Sequence, residues 1–136
     1  MRELARPTQQ WLPDMAQTLL TGFYPRIHDR GLNPSQALGD YFATYVERDV
    51  RQLTAVHDPQ RFERFVRLCA GRVGQVLNLT SLGNDAGVAQ STARAWLDLL
   101  QTSYIVHLLP PWFTNTTKRL MKSPKLYFHD TGLLCW

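Results

Sequence analysis

The chain has 136 residues, of which 44% are hydrophobic and 19% charged, a composition typical of a single globular domain. This balance excludes an intrinsically disordered chain, which would combine few large apolar residues with a high net charge. No apolar run reaches the length of a membrane span and no signal-peptide pattern is present, so we expect a cytoplasmic protein without a membrane partner. Cys69 and Cys135 lie far apart, and Cys69 falls among apolar positions, which predicts a buried free thiol.

The basic residues are concentrated in the second half of the chain. Residues 1–60 contain six Lys or Arg against seven Asp or Glu, whereas residues 61–136 contain nine against four. Between Asp98 and Asp130 the sequence has no acidic residue. The same interval holds four basic residues: Lys118, Arg119, Lys122 and Lys125. An excess of positive charge of this kind suits the phosphates of a nucleic acid, or equally an acidic protein surface.

The first part of the chain is predicted to be helical. A weakly patterned helix is expected from about Thr8 to Leu20, before a segment broken by glycines and prolines. Asn33 and Pro34 then predict a new helix start, because Asn caps helices and Pro suits the first turn. Apolar residues follow on one stripe at spacings of three and four: Leu38, Phe42, Tyr45, Val46, Val50 and Leu53.

A second capped helix is predicted to start after Asp58, with Pro59 in its first turn. Its apolar face consists of Phe62, Phe65, Val66, Cys69, Ala70 and Val73. The opposite side carries Arg61, Arg64, Arg67 and Arg72. These arginines are interpreted either as a solvated face or as a contact for phosphate or an acidic partner.

The next segment has the pattern of a helix-turn-helix. Thr80 or Ser81 can cap a short helix that ends at Ala86, with Gly87 in the turn. A further helix is expected from residue 90 or 91 to about residue 102. Its inward face is predicted to consist of Ala93, Trp96, Leu97 and Leu100.

Two strands are predicted after these helices, in "YIVHLL" and "KLYFH". The order of helix, turn, helix and hairpin is that of a winged helix. We therefore predict a mainly α fold, with an N-terminal helical segment at residues 1–57 and a winged helix-turn-helix with a small β-hairpin at residues 58–136. The two parts are expected to form one compact unit.

The outward face of the second helix of this motif is poorly suited to reading bases. It is predicted to carry Ser91, Arg94, Ala95, Asp98, Gln101 and Thr102. Arg94 and Asp98 cancel in charge, so this helix is expected to add little to affinity or sequence preference. The wing, "TNTTKRLMKSPK", holds four cations that can contact backbone phosphates without reading sequence, although a solvated basic loop explains them equally well.

No catalytic or metal-binding motif is visible in the sequence. A phosphate-binding loop of the form G-x-x-x-x-G-K-[ST] is absent, and the four histidines lack ligand spacing. Glu47 and Asp49 point to opposite sides of one helix, and Asp49 is expected to pair with an arginine of the next helix. We therefore expect a protein that is not an enzyme and has no cofactor and no metal.

Three segments carry a resemblance to a known family. "YFATYVERDVRQL", "RLCAGRVGQVLNLTSLGNDAGVAQSTARAWLDLLQTSYIVHLLPPW" and "NTTKRLMKSPKLYFHDTGLL" together resemble the C-terminal region, of unknown function, of predicted bacterial and archaeal AAA-type ATPases. The matching positions are Glu47, Arg48, Asp49, Gly74, Asn78, Trp96, Lys118, Arg119, Lys122, Pro124, Lys125, Asp130 and Gly132. The resemblance implies a fragment without the ATPase core and without the α/β portion that follows this region in the family. It assigns no catalytic role to any of these residues.

The functional expectation combines these points. The chain is expected to be a non-catalytic winged-helix accessory module of an ATPase-like protein that binds DNA non-specifically through its basic wing. The alternative is a protein-interaction or oligomerisation module that contacts an acidic surface and binds no nucleic acid. The residues expected to make either contact are Lys118, Arg119, Lys122, Lys125, Arg94, Arg61, Arg64 and Arg67.

Overall fold

A computed structural model describes residues 14–50, 58–115, 117 and 122–136. The first helices are α1 (Met15–Thr21), α2 (Pro25–Arg30) and α3 (Pro34–Tyr45), and α3 continues into a π-helical turn at Val46–Val50. They are followed by α4 (Pro59–Ala70), α5 (Leu79–Ala86) and α6 (Gln90–Thr102). The last described elements are β1 (Val106–Leu109), β2 (Lys125–Phe128) and α7 (Thr131–Cys135). The protein is mainly helical with a small antiparallel hairpin, as predicted.

Two of the predicted helix starts are confirmed. The Asn33 side chain accepts the N–H of Gln36 at 3.1 Å, and Pro34 is the first residue of α3. Asp58 likewise caps α4, where its carboxylate accepts two backbone N–H groups at 3.1 Å. Such caps satisfy N–H groups that have no partner within the helix. The predicted first helix is described only from residue 14, and its residues 8–13 lie outside the described part.

The start of α5 differs from the prediction. Asn78 caps this helix, not Thr80 or Ser81, and its side chain accepts the Ser81 N–H at 3.0 Å. The preceding residues are held in extended conformation because the Leu77 N–H donates to the carbonyl of Pro124 at 2.8 Å. The helix therefore begins as soon as this contact ends. Gly87 ends α5 in the left-handed conformation, as predicted for the turn.

The core includes most of the predicted apolar faces, together with buried residues of α2, α5, α7 and the hairpin. The buried members of these faces are Leu38, Phe42, Tyr45 and Val50, then Phe62, Phe65, Val66 and Cys69 of α4, and Ala93, Trp96, Leu97 and Leu100 of α6. Val46, Ala70 and Val73 are partly buried, and Leu53 lies outside the described residues. Trp96 lies at the centre of the core. The centre of its ring is 5.4 Å from the ring centres of both Phe62 and Phe65, and both contacts are edge-on. The predicted inward face of α6 is confirmed, and through Trp96 it packs against α4.

The hairpin is extended by a short third segment. In the hairpin, Val106 pairs with Phe128 and Leu109 pairs with Lys125. On its other side Lys125 forms an antiparallel bridge with Val76, and the Gly74 N–H donates to the Leu126 carbonyl at 2.8 Å. β2 therefore lies between β1 and the segment that leads into α5.

A buried carboxylate joins the two ends of the described chain. Asp130 is 9% exposed, and its Oδ1 accepts the Leu133 N–H at 2.9 Å as the cap of α7. Its Oδ2 accepts the Phe23 N–H at 2.7 Å. Gly132 lies against the same segment, because a Cβ on it would come within 2.8 Å of the Thr21 carbonyl and 2.9 Å of the backbone of Gly22. We call this contact the Asp130 clasp.

Two expectations about charged residues are wrong. Asp49 pairs with its neighbour Arg48 at 2.9 Å and not with an arginine of the next helix, and this pairing lowers the pKa of Asp49. Arg72 does not lie on the arginine face of α4, because that helix ends at Ala70. It pairs instead with Asp85 and donates to the Ser81 hydroxyl at 3.2 Å. The predicted boundary at residue 57 lies at the edge of a segment outside the described residues, so it stays a prediction.

The two cysteines are expected to differ sharply in reactivity. Both are free thiols; Cys135 is exposed, whereas burial raises the pKa of Cys69 to about 12. Because the thiolate is the reactive form, Ellman's reagent at pH 8 should modify one thiol per folded chain and the second only after unfolding in urea. A Cys135→Ser variant should then show no fast reaction. Rapid modification of both thiols in the folded protein would contradict the burial of Cys69.

Candidate nucleic-acid interface

An open, polar groove of about 620 Å³ lies where three segments meet. The start of α5 contributes Asn78 and Thr80, and the first turns of α6 contribute Gln90 and Arg94. The segment before β2 closes the groove with Ser123 and Pro124. Its walls therefore hold hydroxyl, amide and guanidinium groups, which are typical partners of phosphate oxygens.

The geometry of the groove follows from local hydrogen bonds. The Leu77–Pro124 bond fixes the segment before β2 against the start of α5. α6 begins after Ala89, which provides no side-chain cap. The first N–H groups of α6 therefore receive no acceptor from the side chain of the cap residue, at the end where Gln90 lines the groove. A helix N-terminus with unsatisfied N–H groups favours an anion.

One described cation lines this groove, and two more adjoin its lining residues in sequence. Arg94 is exposed and forms no ion pair with any other described residue. Lys122 and Lys125 are exposed and flank the lining residues Ser123 and Pro124 directly in sequence. The structure thus brings together the predicted site residues of α6 and of the base of the wing.

The remaining predicted wing residues, Lys118 and Arg119, lie outside the described residues, and their contribution stays a prediction.

The predicted arginines of α4 do not line the groove. Arg61 pairs with Asp58 at 3.1 Å, and Arg67 pairs with Glu63 at 2.9 Å. The Arg67 guanidinium also lies 5.3 Å from the centre of the Trp136 ring. Arg64 is exposed without an ion pair among the described residues. Two of the three positive charges on this face are therefore offset by acids of the same segment.

The outward face of α6 is oriented as predicted. Most of its predicted members are exposed: Ser91, Arg94, Ala95, Asp98 and Thr102, with Gln101 partly buried. Arg94 lies near the N-terminus of the helix, and Asp98 follows one turn later. Sequence reasoning missed the groove itself, because the segment at residues 123–124 comes beside α6 only through its pairing with residues 74–77.

Other site types are not found in the described part of the chain. Over residues 14–50, 58–115, 117 and 122–136, no group of three or more His, Cys, Asp or Glu side chains could hold a metal ion. Within the same ranges, no helix has both the length and the apolar character that crossing a membrane requires.

Comparison with known proteins identifies relatives and a family. The chain is 39% identical over 114 residues to "Uncharacterized protein Rv2008c" of Mycobacterium tuberculosis and, to the same extent, to "Uncharacterized protein Mb2031c" of Mycobacterium bovis. The match covers 83% of this chain but 26% of each relative, so the chain spans about a quarter of their length. No solved structure matches. The model of the family described as "Domain of unknown function (DUF8612)" matches residues 12–136, and the chain belongs to that family.

Proposed function

We propose that residues 58–136 form a winged helix and that the chain is a non-catalytic module that binds duplex DNA through the groove. The order of elements supports the winged helix. α4 is followed by the bridge at Val76, then by α5 and α6, then by the β1–β2 hairpin, and the short helix α7 ends the order. In this arrangement α6 is the helix presented to DNA, and the segment between the strands is the wing.

The observation that carries the proposal is that Arg94 and the N-terminus of α6 line one open groove, next to a segment that carries two further cations. These cations, Lys122 and Lys125, adjoin the lining residues in sequence. Phosphate oxygens are recognised by cations together with helix N-termini and small polar side chains, and the groove offers all three. Because Arg94 lines the groove, we expect it to contribute more to DNA affinity than the neutral charge of its helix face predicts.

The binding proposed here is independent of base sequence. On the outward face of α6, Asp98 follows Arg94 by one turn, so the part of the helix that would enter a major groove has no net charge. Side chains able to make bidentate base contacts are few on this face, whereas the cations lie at its edge. The affinity should therefore come from the DNA backbone.

The module is proposed to act within a longer protein. The resemblance to the C-terminal region of AAA-type ATPases supports an ATPase core as the neighbour of this module in such a protein. The relatives support a longer protein, because this chain corresponds to 26% of their length.

A duplex titration tests the DNA proposal. We expect binding to weaken as salt rises, with a log–log slope of about −2.7 from three phosphate contacts. The double variant Arg94→Glu/Lys125→Glu should weaken binding about tenfold or more at low salt, and equally on unrelated duplexes. Fluorescence anisotropy with two labelled duplexes of different sequence provides the measurement. A slope steeper than this would reflect Lys118 and Arg119.

Arg64→Glu serves as the matched control, since it reverses an exposed arginine of α4 away from the groove. It should reduce affinity much less than the groove variant. Equal losses of affinity for both variants would mean that binding depends on the overall positive charge of the surface and not on the groove. A strong preference for one duplex that disappears with Arg94 would instead make α6 a base reader.

The alternative function is a protein-interaction module, and one observation favours it. Met15, Leu20 and Phe23 in and beside α1 are exposed apolar side chains. If no duplex binds even at low salt, the DNA proposal fails and the interaction module becomes the better explanation. Sedimentation over a range of concentrations would then test for self-association.

A further inference from the structure

The outer face of the hairpin carries a group of rings that the groove does not use. His107 of β1 is exposed and pairs in register with Tyr127 of β2. The centres of the His107 and His129 rings lie 5.7 Å apart. The Tyr104 ring meets His129 edge-on at 6.0 Å. We call these four residues the ring surface.

Tyr104 has a backbone conformation that tyrosine rarely adopts. Its φ is +56°, the left-handed region, immediately after the end of α6. The Ile105 N–H donates to the Leu100 carbonyl at 2.9 Å, and the Tyr104 N–H donates to the Gln101 carbonyl at 3.1 Å. This pattern is the Schellman helix ending, in which the left-handed position is usually glycine. A tyrosine there costs stability that glycine would not.

Packing does not explain the tyrosine at this position. Its side chain is 76% exposed, so the ring contributes little to the core. A residue that violates a local preference without stabilising the fold points to a function for its side chain. An exposed ring beside two further exposed rings is suited to stacking on another flat, unsaturated group.

The charge around the ring surface indicates what that group belongs to. Lys125 and Tyr127 alternate along β2 and therefore lie on the same face of the hairpin. No acidic residue occurs between Asp98 and Asp130, and Asp130 is buried in its clasp. A face that combines rings with a cation and lacks exposed acids in this interval is complementary to unpaired bases on a phosphate backbone.

The ring surface is also continuous with the groove. Val76 lines the groove and is bridged to Lys125, the first residue of β2. From Lys125 to His129 the strand direction covers about 13 Å. A DNA strand leaving the groove could therefore cross Lys125 and place its next bases on the rings.

We propose that the ring surface binds unpaired bases of single-stranded DNA, next to a duplex held in the groove. The inference rests on the proposed function for the orientation of the DNA, while the stacking itself depends on the rings. It assigns to this module a preference for junctions between double-stranded and single-stranded DNA.

The test compares three labelled DNAs by fluorescence anisotropy: a blunt duplex, the same duplex with a ten-nucleotide thymidine overhang, and a thymidine oligonucleotide alone. The natural protein should bind the overhang duplex more tightly than the blunt one. Tyr104→Asn should weaken binding to the overhang and single-stranded DNAs by about tenfold and leave the blunt duplex unchanged. Asparagine tolerates the left-handed conformation, so the variant should fold normally.

Tyr104→Gly provides a second variant that separates binding from stability. It removes the ring and the strain together, so its thermal midpoint should equal or exceed that of the natural protein while single-strand binding falls. Tyr41→Ala, which removes a partly exposed tyrosine of α3, should leave all three affinities unchanged.

The outcomes distinguish the two proposals. Unchanged single-strand affinity in both Tyr104 variants would overturn the ring surface and leave duplex binding in the groove intact. An equal loss on the blunt duplex would also overturn it, because the ring would then support the groove as a whole. Failure of the natural protein to bind the blunt duplex, with single-strand binding retained and sensitive to Tyr104, would overturn the groove proposal and support the ring surface.

Discussion

Replacement of Trp96 by alanine is expected to destabilise the protein by about 3–5 kcal/mol. The side chain is 2% exposed and joins α6 to α4 through edge-on contacts with Phe62 and Phe65. Its removal would leave a cavity between the two helices and abolish both aromatic contacts. Urea unfolding followed by circular dichroism measures the change without relying on tryptophan fluorescence.

Trp112→Ala is the matched control, because this tryptophan is 81% exposed and its removal returns little buried surface to water. Its unfolding midpoint should stay close to that of the natural protein. If the two variants lost similar stability, the orientation of α6 described above would be wrong, and so would the outward position of Arg94.

The second large effect is expected at the Asp130 clasp. Asp130→Ala removes the cap of α7 and leaves the Phe23 N–H without its acceptor, which together should cost about 2–4 kcal/mol. Asp130→Asn keeps one acceptor oxygen but places an amide NH₂ where the second oxygen accepts a bond. We therefore expect the free energy of unfolding of Asp130→Asn, measured in urea, to lie between those of the natural protein and the alanine variant.

A second variant tests the same clasp by a steric route. Gly132→Ala would place a methyl group within 3 Å of the backbone at Thr21 and Gly22, and should cost about 2 kcal/mol. Asp14→Ala is the control, since Asp14 also caps a helix through a single bond of 3.2 Å but is exposed. It should cost at most about 1 kcal/mol. Equal effects at Asp14 and Asp130 would show that the clasp adds nothing beyond ordinary capping.

The ring surface was predictable from the sequence only in part. The strand that carries His107 is predicted from its β-branched and apolar residues, and the register of the hairpin confirms the pairing of the two segments. The contact between His107 and His129 follows from that register and is not visible in the sequence, where the histidines lie 22 positions apart. The unusual backbone of Tyr104 has no sequence signal, since tyrosine is not a residue that predicts a left-handed helix ending.

Some contacts of the charged residues could likewise be predicted from the sequence, and others depend on the tertiary structure. Arg94 is predicted to lie on the outward face of α6, and the helix has this orientation because Ala93, Trp96 and Leu97 occupy the opposite side. The ion pairs of Arg61 and Arg67 involve acids three and four residues away, a spacing that local sequence could have revealed. Arg72, by contrast, pairs with Asp85 across the turn between α4 and α5, which depends on where α4 ends.

The sequence by itself determined the local structure of this protein: the helices capped by Asn33 and Asp58, the apolar faces of α3, α4 and α6, and the two strands. These features depend on residue spacing and on caps within a few positions, so they need no knowledge of distant contacts. Only the tertiary structure decided the Asp130 clasp, the groove beside Arg94 and the ring surface. Each of these joins residues that are far apart in the chain, and the hydrogen bonds and backbone approaches that bring them together form only when the elements pack.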